Sequence, residues 1–419
     1  MSQSVLNHYI CKIEGHGKLK LDYKSGKAKL TIDEGERLFE RLVVGRDFLD
    51  APFITARICG VCPTAHMLSS IKAIENAFDV SVTPNIIALR KAMLCGQIIQ
   101  SHALHLYFLT SPDYLDVVNA IELHEKMPHI FKNAITLKKS GDMVVEVIGG
   151  RSVHPTAPTV GGFLSVPTKD TLRSLKKTLE YALPIAMETA ELFAGFKYPS
   201  LKRETEYLTS VKNGRLDYYD SDHIVSNRGL NTAIENYTYA FTETVRNGSP
   251  VKYGSRDGHG FMVGALARMT LGSEHLHPKA AYAYHKIWQH KFPTYNSFHN
   301  NVAQSIEVIH LLEEAIEQLA NVLTDKNDVF RVPYRVKEGQ GYGVIEAPRG
   351  TLYHGIEINE NGSIKIYDIV TPTVQNLINL EEDADALMKK HQKLESDKLY
   401  NEVEMLIRAY DPCITCAVH

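Results

Sequence analysis

The sequence predicts a mainly α-helical protein with small β elements, folded as a single unit. Apolar segments of helical length follow proline residues, and short alternating segments flank tight-turn signals. Neither an internal repeat nor a low-complexity linker divides the chain. We therefore expect one domain over residues 1–419.

The first elements are expected to be strands. Residues 8–32 alternate polar and apolar side chains around a Ser-Gly pair, which is typical of a β-hairpin region. A helix should run from Asp33 to about Val44, because Asp33 and Glu36 have the spacing of a capping box. Residues 47–59 contain a proline and are expected to be mostly irregular.

Two helices of the predicted core begin at prolines. Pro63 suits the first position of a helix that continues through residues 67–78. Cys62 would then lie at a helix N-terminus, where the dipole favours a thiolate. A longer helix follows Pro84 and covers residues 85–109; since it is apolar over most of its surface, we expect it to be central.

The second half of the chain predicts more helices and one hairpin. Residues 149–167 form a loop rich in Gly and Pro, and residues 351–370 flank an Asn-Gly pair that indicates a β-hairpin. A cysteine-containing segment, residues 411–419, comes last. Further helical patterns cover residues 168–196, 231–246, 277–290, 300–324 and 381–409.

The composition excludes several classes of protein. The chain is 44% hydrophobic and 23% charged with a net charge of −3, so it lacks the basic field of a nucleic-acid-binding protein. No apolar run is long enough to predict a membrane span, and the N-terminus lacks the pattern of a signal peptide. Six cysteines are too few for a disulfide scaffold in a chain of this length. We expect a cytoplasmic protein.

The cysteines carry the strongest chemical signal. Four thiolates suit zinc, an iron–sulfur cluster, or nickel with iron. Structural zinc pairs usually lie close together in sequence, and a closed zinc site would not use the histidine that follows each pair, His66 or His419. The pairs are Cys59 with Cys62 and Cys413 with Cys416, while Cys11 and Cys95 are isolated.

Five separated segments resemble the motifs of nickel–iron hydrogenase large subunits, in the order that this family has them. The resemblance implies the large-subunit fold around a central helix bundle, and reversible oxidation of H2 to protons and electrons. The five segments are EGH (14–16), RICGVCPTAH (57–66), EAPRG (346–350), IVTPT (369–373) and DPCITCAVH (411–419).

The resemblance also implies the ligands of the metal centre. Cys59 and Cys413 would be terminal ligands of nickel. Cys62 and Cys416 would bridge nickel to an iron that carries carbonyl and cyanide ligands. Thiolates are soft donors that suit such metals.

Other residues match catalytic positions of the family. Glu14 matches a proton-transfer glutamate beside Cys413. Arg349 matches an arginine over the open metal site, where Pro348 fixes the backbone and Asp411 orients the guanidinium. Without the resemblance, Glu14 equally fits a surface acid in a hairpin, and Arg349 a structural salt bridge.

A second shell and a second metal are implied in the same way. Thr373 matches a residue that hydrogen-bonds a cyanide, and His66 one that supports a cysteine sulfur. Glu40, the carbonyl of Ile369 and His419 match the ligands of a magnesium-type ion. Without the resemblance, Glu40 also fits a solvated helix face.

The resemblance predicts partners as well. Arg151 and His154 would face an iron–sulfur small subunit, which is needed because this chain has no spare cysteines for clusters. The cytosolic group in this family passes electrons to NAD(P) through a diaphorase module that contains flavin and iron–sulfur subunits. Alternatives are ferredoxin with heterodisulfide reductase, a deazaflavin, or a regulatory hydrogen sensor. Ser101 stands where many relatives have an acid, and a terminus at His419 resembles the processed form.

Overall fold

A computed structural model describes residues 5–289, 292–391 and 396–419. Helices dominate, and three-stranded sheets stand at both ends of the sequence. The helices in chain order are α1 Phe39–Val43, α2 Ala51–Thr55, α3 Pro63–Ala77, α4 Pro84–Leu104, α5 Pro112–Leu115, α6 Ala120–Lys126, α7 Pro128–Gly149, α8 Lys169–Ala194, α9 Tyr237–Ala240, α10 Ala265–Gly272, α11 Pro278–Tyr282, α12 Asn300–Thr324, α13 Pro372–Lys390, α14 Ser396–Ala409 and α15 Ile414–Ala417.

The strands form small sheets, and four of these are antiparallel throughout. In chain order the strands are β1 Val5–Tyr9, β2 Gly17–Asp22, β3 Lys27–Ile32, β4 Pro158–Thr159, β5 Gly162–Phe163, β6 Glu206–Lys212, β7 Arg215–Leu216, β8 His223–Ser226, β9 Asn231–Ala233, β10 Thr242–Val245, β11 Lys252–Ser255, β12 Phe261–Met262, β13 Gly339–Ala347, β14 Gly350–Ile358 and β15 Ile364–Val370.

The core is a bundle in which α4 packs against α7 and α12, and α12 packs against α8. Almost every side chain of α4 is buried, which confirms that this helix is central. The axes of α4 and α7 approach closely at two glycines: a Cβ on Gly141 would lie 2.4 Å from the carbonyl oxygen of Gly96. Small residues at this crossing let the two backbones touch.

The sheet β13-β14-β15 holds α3 against the bundle. Three alternate residues of β13 are glycines, and they face the helix without side chains. A Cβ on Gly339, Gly341 or Gly343 would lie 2.3, 2.1 or 1.9 Å from the carbonyl oxygen of Ala77, Ala73 or Ser69 respectively. The helix therefore lies directly on the strand backbone, which fixes the N-terminus of α3 relative to the turn between β13 and β14.

Several sequence-based predictions are confirmed. The hairpins near 8–32 and 351–370 form, as do the helices after Pro63 and Pro84 and those near 168–196 and 300–324. No helix within the described ranges is both long and apolar enough to cross a bilayer.

Two predictions near the N-terminus were wrong. The helix expected from Asp33 begins only at Phe39, because the backbone N–H of Arg37 donates to Val418 and its side chain to Ile58, so tertiary contacts keep this segment extended. Residues 47–59 are more regular than expected, since Pro52 occupies the first turn of α2.

Three predictions in the second half need correction. Residues 231–246 form strands on either side of α9, because Asn231–Ala233 and Thr242–Val245 pair with neighbouring strands. The pattern at 277–290 is only the short α11 followed by a π-helical turn, and residue 290 lies outside the described residues. The single helix expected over 381–409 is two helices, and 392–395 lie outside the described residues. Sequence reasoning also missed α7 and strands β6 and β13.

Candidate metal centre

Four buried cysteines converge in the interior. Cys59 follows a 3₁₀ turn after α2, and Cys62 caps the N-terminus of α3. Cys413 precedes α15, and Cys416 lies within it. The sulfur of Cys59 lies 3.4 Å from that of Cys413, and Cys62 lies 3.1 Å from Cys416. All four sulfurs lie within 4.8 Å of one another, so one small metal centre can contact all of them.

The surroundings of these sulfurs differ. Hydrogen bonding with the Cys413 thiol lowers the pKa of Cys59, whose sulfur also accepts the backbone N–H of Val61 at 3.2 Å. Burial raises the pKa values of Cys413 and Cys416. Buried thiols of high pKa become thiolates when a metal replaces the proton, so the cluster is suited to a bound cation.

The segment that carries Cys413 is tied to the N-terminal region of the chain. The carbonyl oxygen of Glu14 accepts the N–H of Ile414 at 3.0 Å, and Glu14 forms a parallel bridge with Cys413. Arg37 joins the two cysteine pairs, because its guanidinium donates to the carbonyl of Ile58 at 2.6 Å and also to that of Thr415. Sequence reasoning missed Arg37, and no local motif marks it.

The side chain of Glu14 contacts the centre directly. Its Oε2 lies 3.0 Å from Cys413 Sγ and accepts the N–H of Thr415 at 3.1 Å. The hydroxyl of Thr415 donates to the other carboxylate oxygen at 2.5 Å. The carboxylate is thus held by its neighbours beside one sulfur, as the sequence predicted.

Arg349 follows Pro348 in the turn between β13 and β14. Its Nε donates to the carbonyl oxygen of Asp411 at 2.6 Å and its Nη2 to the carboxylate of Asp411 at 2.8 Å. Burial opposes the guanidinium charge, but the attraction of Asp411 and of Cys413 outweighs it and raises the pKa of Arg349. The third nitrogen, Nη1, is buried and has no hydrogen-bond partner among the described residues.

A cavity of about 260 Å³ lies at this point. Thr373 lines it and also accepts the N–H of Cys413 at 3.0 Å through its hydroxyl. Ser101 is buried, and its hydroxyl has no partner in the described part of the chain. The cavity is lined by Cys62, His66, Ala347, Pro348, Arg349, Leu352, Pro372, Thr373, Cys413 and Cys416.

A buried ionic network that the sequence did not reveal supports the Arg349 turn. Arg268 donates to the carbonyl oxygens of Ala347 at 3.1 Å and Pro348 at 3.0 Å. Its charge is balanced by Glu307 at 2.6 Å and Glu346 at 2.9 Å, and all three charged side chains are fully buried. Only Glu346 lay in a recognised motif.

The residues expected to bind magnesium also come together. His419 Nε2 lies 2.9 Å from the carbonyl oxygen of Ile369 and 3.8 Å from the carboxylate of Glu40. Although burial opposes ionisation, interaction with His419 lowers the pKa of Glu40 to about 2. Two unpredicted residues join this group: Lys252 Nζ lies 3.3 Å from Glu40 and 3.5 Å from Glu243.

The remaining candidates lie on opposite sides of the cysteine cluster. His66 Nε2 lies 3.6 Å from Cys416 Sγ, as expected for a residue that supports a sulfur. Arg151 is exposed, and His154 is half-buried with its Nδ1 3.0 Å from the carbonyl oxygen of Ala56. Contact of Arg151 and His154 with a partner stays a prediction.

Comparison with known proteins agrees with this geometry. The nickel-dependent hydrogenase family matches residues 37–142 and 216–419. The alpha subunit of sulfhydrogenase 1 from Pyrococcus furiosus is 34% identical over 98% of this chain and 96% of its own length. The beta subunit of the NAD-reducing hydrogenase HoxS from Cupriavidus necator is 29% identical over 100% and 95%. The crystal structure of an NAD⁺-reducing [NiFe]-hydrogenase in the H2-reduced state covers all of both chains at 25% identity, with a TM-score of 0.87. The chain therefore belongs to the nickel-dependent hydrogenase family, as a large, catalytic subunit.

Proposed function

We propose that this chain reversibly activates dihydrogen at a nickel–iron centre held by Cys59, Cys62, Cys413 and Cys416. One observation carries the proposal: four sulfurs from distant parts of the chain meet within 4.8 Å, with the Glu14 carboxylate in contact with one of them. A purely structural site would not need an acid at that position.

The donor set and its surroundings fit such a centre. Four thiolates are soft ligands suited to nickel and iron. The unpartnered Nη1 of Arg349 provides a hydrogen-bond donor beside the cavity, where a cyanide nitrogen could accept it. The close pairs, Cys59 with Cys413 and Cys62 with Cys416, support the terminal and bridging assignments.

The centre, when bound, would supply the two-electron chemistry that splits dihydrogen. The chain's own residues would move the proton and hold the charge. Glu14 would accept a proton at Oε2 from the sulfur of Cys413, 3.0 Å away, and pass it outward. Arg349, fixed by Asp411, would keep a positive charge beside the metals, where burial strengthens its field. Thr373 would hold its hydroxyl near a diatomic ligand.

We also propose a magnesium-type ion at Glu40, Ile369 and His419. The support is the meeting of a carboxylate, a carbonyl and an imidazole beside the C-terminal segment. Carboxylate and carbonyl oxygens are ligands that Mg²⁺ accepts, with water completing the shell. The Lys252 ammonium would then move away from the Glu40 carboxylate. Metal analysis of the purified complex should find about one magnesium per nickel, and its absence would contradict the second site.

Electrons must leave through another chain in this proposal. Cys11 is exposed and Cys95 is buried apart from the cluster, so an iron–sulfur small subunit would accept the electrons. An NAD(P)-linked diaphorase module in the cytoplasm is the acceptor that we favour, because an NAD⁺-reducing hydrogenase matches over the whole chain. A subunit of the F420-non-reducing hydrogenase of Methanothermobacter marburgensis is also 31% identical over 98% of this chain, which keeps ferredoxin with heterodisulfide reductase as the alternative.

Infrared spectroscopy and metal analysis of the purified complex test the centre. We expect carbonyl and cyanide bands with nickel and iron in equal amounts. Bound zinc without those bands would contradict the proposal.

Turnover assays separate the remaining alternatives. Fast hydrogen oxidation with viologen distinguishes an enzyme from a regulatory sensor, which should be slow. Reduction of NAD⁺, NADP⁺, ferredoxin or deazaflavin by the whole complex under H2 identifies the acceptor. Reduction of ferredoxin alone would overturn the diaphorase assignment and leave the nickel–iron centre intact.

A further inference from the structure

Behind Cys416, buried polar side chains form a continuous series of hydrogen-bonding groups, here termed the imidazole relay. It begins at His66, whose Nε2 faces Cys416 Sγ at 3.6 Å and whose Nδ1 lies 3.1 Å from His354 Nε2. The other ring nitrogen of His354 lies 2.8 Å from the hydroxyl oxygen of Tyr367. That hydroxyl is in turn 2.8 Å from Ser70 Oγ, where the relay ends.

The relay ends inside the protein. His66 is 1% exposed, His354 and Ser70 are 0% exposed, and Tyr367 is 5% exposed. A path for protons to solvent would need a surface group at its far end, and Ser70 is on a buried face of α3. The function of the relay must therefore be exerted at Cys416 itself.

The proton order in the relay has only two solutions. Burial lowers the pKa of His66 to about 3 and that of His354 well below its ordinary value, so both rings are neutral. A neutral imidazole has one N–H donor and one acceptor nitrogen. If Tyr367 donates to Ser70, each ring N–H points away from Cys416. If Tyr367 turns its proton to His354, each ring N–H points toward Cys416.

A metal-bound thiolate carries no proton and can only accept a hydrogen bond. Only the second order gives Cys416 a donor, and it requires the Tyr367 hydroxyl at the far end. We propose that Tyr367 is a positioning residue of the metal centre, which sets the tautomers of His354 and His66 so that Nε2–H of His66 donates to Cys416. This inference rests on the proposed function, because it needs Cys416 as a metal ligand.

The electronic effect of this donor can be measured. A hydrogen bond to sulfur withdraws electron density from the thiolate and, through it, from the iron. Tyr367→Phe removes the hydroxyl alone, so the tautomers are no longer biased and part or all of the donation to Cys416 is lost. At equal nickel and iron content, we expect carbonyl and cyanide bands to move to lower wavenumber, or to split with a lower set. The reduction potential of the centre should fall in the same variant.

Two further variants test the order of the relay. His354→Gln keeps an N–H that can donate toward His66 and an oxygen that can accept from Tyr367, so its bands should stay near the wild-type positions. His354→Leu has neither group and should shift the bands as Tyr367→Phe does. Tyr353→Phe is the matched control, since Tyr353 is 0% exposed on the neighbouring strand and its hydroxyl lies outside the relay; its bands should not move.

Band positions do not depend on how much metal the variant binds, so partial loading leaves the test valid. Unshifted bands in Tyr367→Phe would overturn the relay and leave the nickel–iron centre standing. Absence of carbonyl and cyanide bands from the wild-type complex would instead contradict the proposed function.

Discussion

At the scale of single residues, the shape of the Arg349 side chain matters as much as its charge. The guanidinium makes two bonds to Asp411 and presents its third nitrogen beside the cavity. A lysine keeps the charge but cannot make this fork. We expect Arg349→Lys to lower hydrogen turnover by about 10²–10³-fold at near wild-type nickel content. Viologen-linked rates per nickel measure this, with the exposed Arg173→Lys as control.

The partner of the guanidinium gives a second test at the same point. Asp411→Asn keeps the carbonyl that accepts from Nε but loses the carboxylate charge, so it should also be impaired. Because both changes act on one contact, the double variant should lose less than the sum of the two single losses. Near-normal turnover in Arg349→Lys would leave the residue with a structural role only.

Glu14 offers a prediction about proton transfer. Glu14→Gln keeps the size of the side chain and an oxygen for the N–H of Thr415, but an amide does not carry a proton at neutral pH. We expect turnover to fall by about 10²-fold or more while the metal centre still assembles. Glu34→Gln is the matched control, because Glu34 accepts the N–H of the nearby His16 rather than contacting the sulfur of Cys413. Full hydrogen–deuterium exchange in Glu14→Gln would show that protons use another route.

At the scale of elements, the glycines of β13 decide where α3 lies. A Cβ on Gly343 would be 1.9 Å from the carbonyl oxygen of Ser69, and backbone on both sides leaves no room to adjust. We expect Gly343→Ala to lower the free energy of unfolding by about 3 kcal/mol or more and to reduce nickel content, since α3 begins at Cys62. Urea unfolding and metal analysis test this. Gly35→Ala, where an added Cβ meets nothing within 4 Å, should be nearly neutral.

A second prediction at this scale concerns pH and the junction of α11 with α12. His310 Nδ1 accepts the backbone N–H of His277, and burial, reinforced by His277, lowers the pKa of His310 to about 4. The unfolded chain therefore binds a proton between pH 6.5 and 4 that the folded chain does not, and stability falls as the pH falls through that window. The loss should reach roughly 3 kcal/mol. His310→Gln keeps an acceptor but does not titrate, so its unfolding midpoint should change less between pH 7 and 4.5; equal changes would contradict this assignment.

The elements also show which parts of the fold are readable from sequence. Pro63 and Pro84 mark real helix starts because proline at the first position acts through local geometry alone. Residues 231–246 were assigned to the wrong class because pairing with β8 and β11 overrides local preference. The turn carrying Arg349 was predicted from its motif.

The same distinction holds within the site. The cysteines, Glu14 and Asp411 belong to contiguous motifs, and the structure brings them together as expected. Arg37, Arg268 and Lys252 reach the site from positions that carry no local pattern. Their importance depends on which backbone carbonyls and carboxylates the fold places beside them, and this is a property of tertiary structure alone.

At the scale of the whole molecule, the distant parts of the sequence meet at one point. A metal bonded to both Cys59 and Cys413 would join positions that are 354 residues apart. In an unfolded chain such a link closes a very large loop, and the configurational entropy it removes corresponds to roughly 6 kcal/mol. The centre would then act as a cross-link of the native topology as well as a catalyst. Calorimetry of loaded and nickel-depleted complexes should show one transition of the large subunit that moves to lower temperature on depletion, and an unchanged midpoint would exclude this stabilisation.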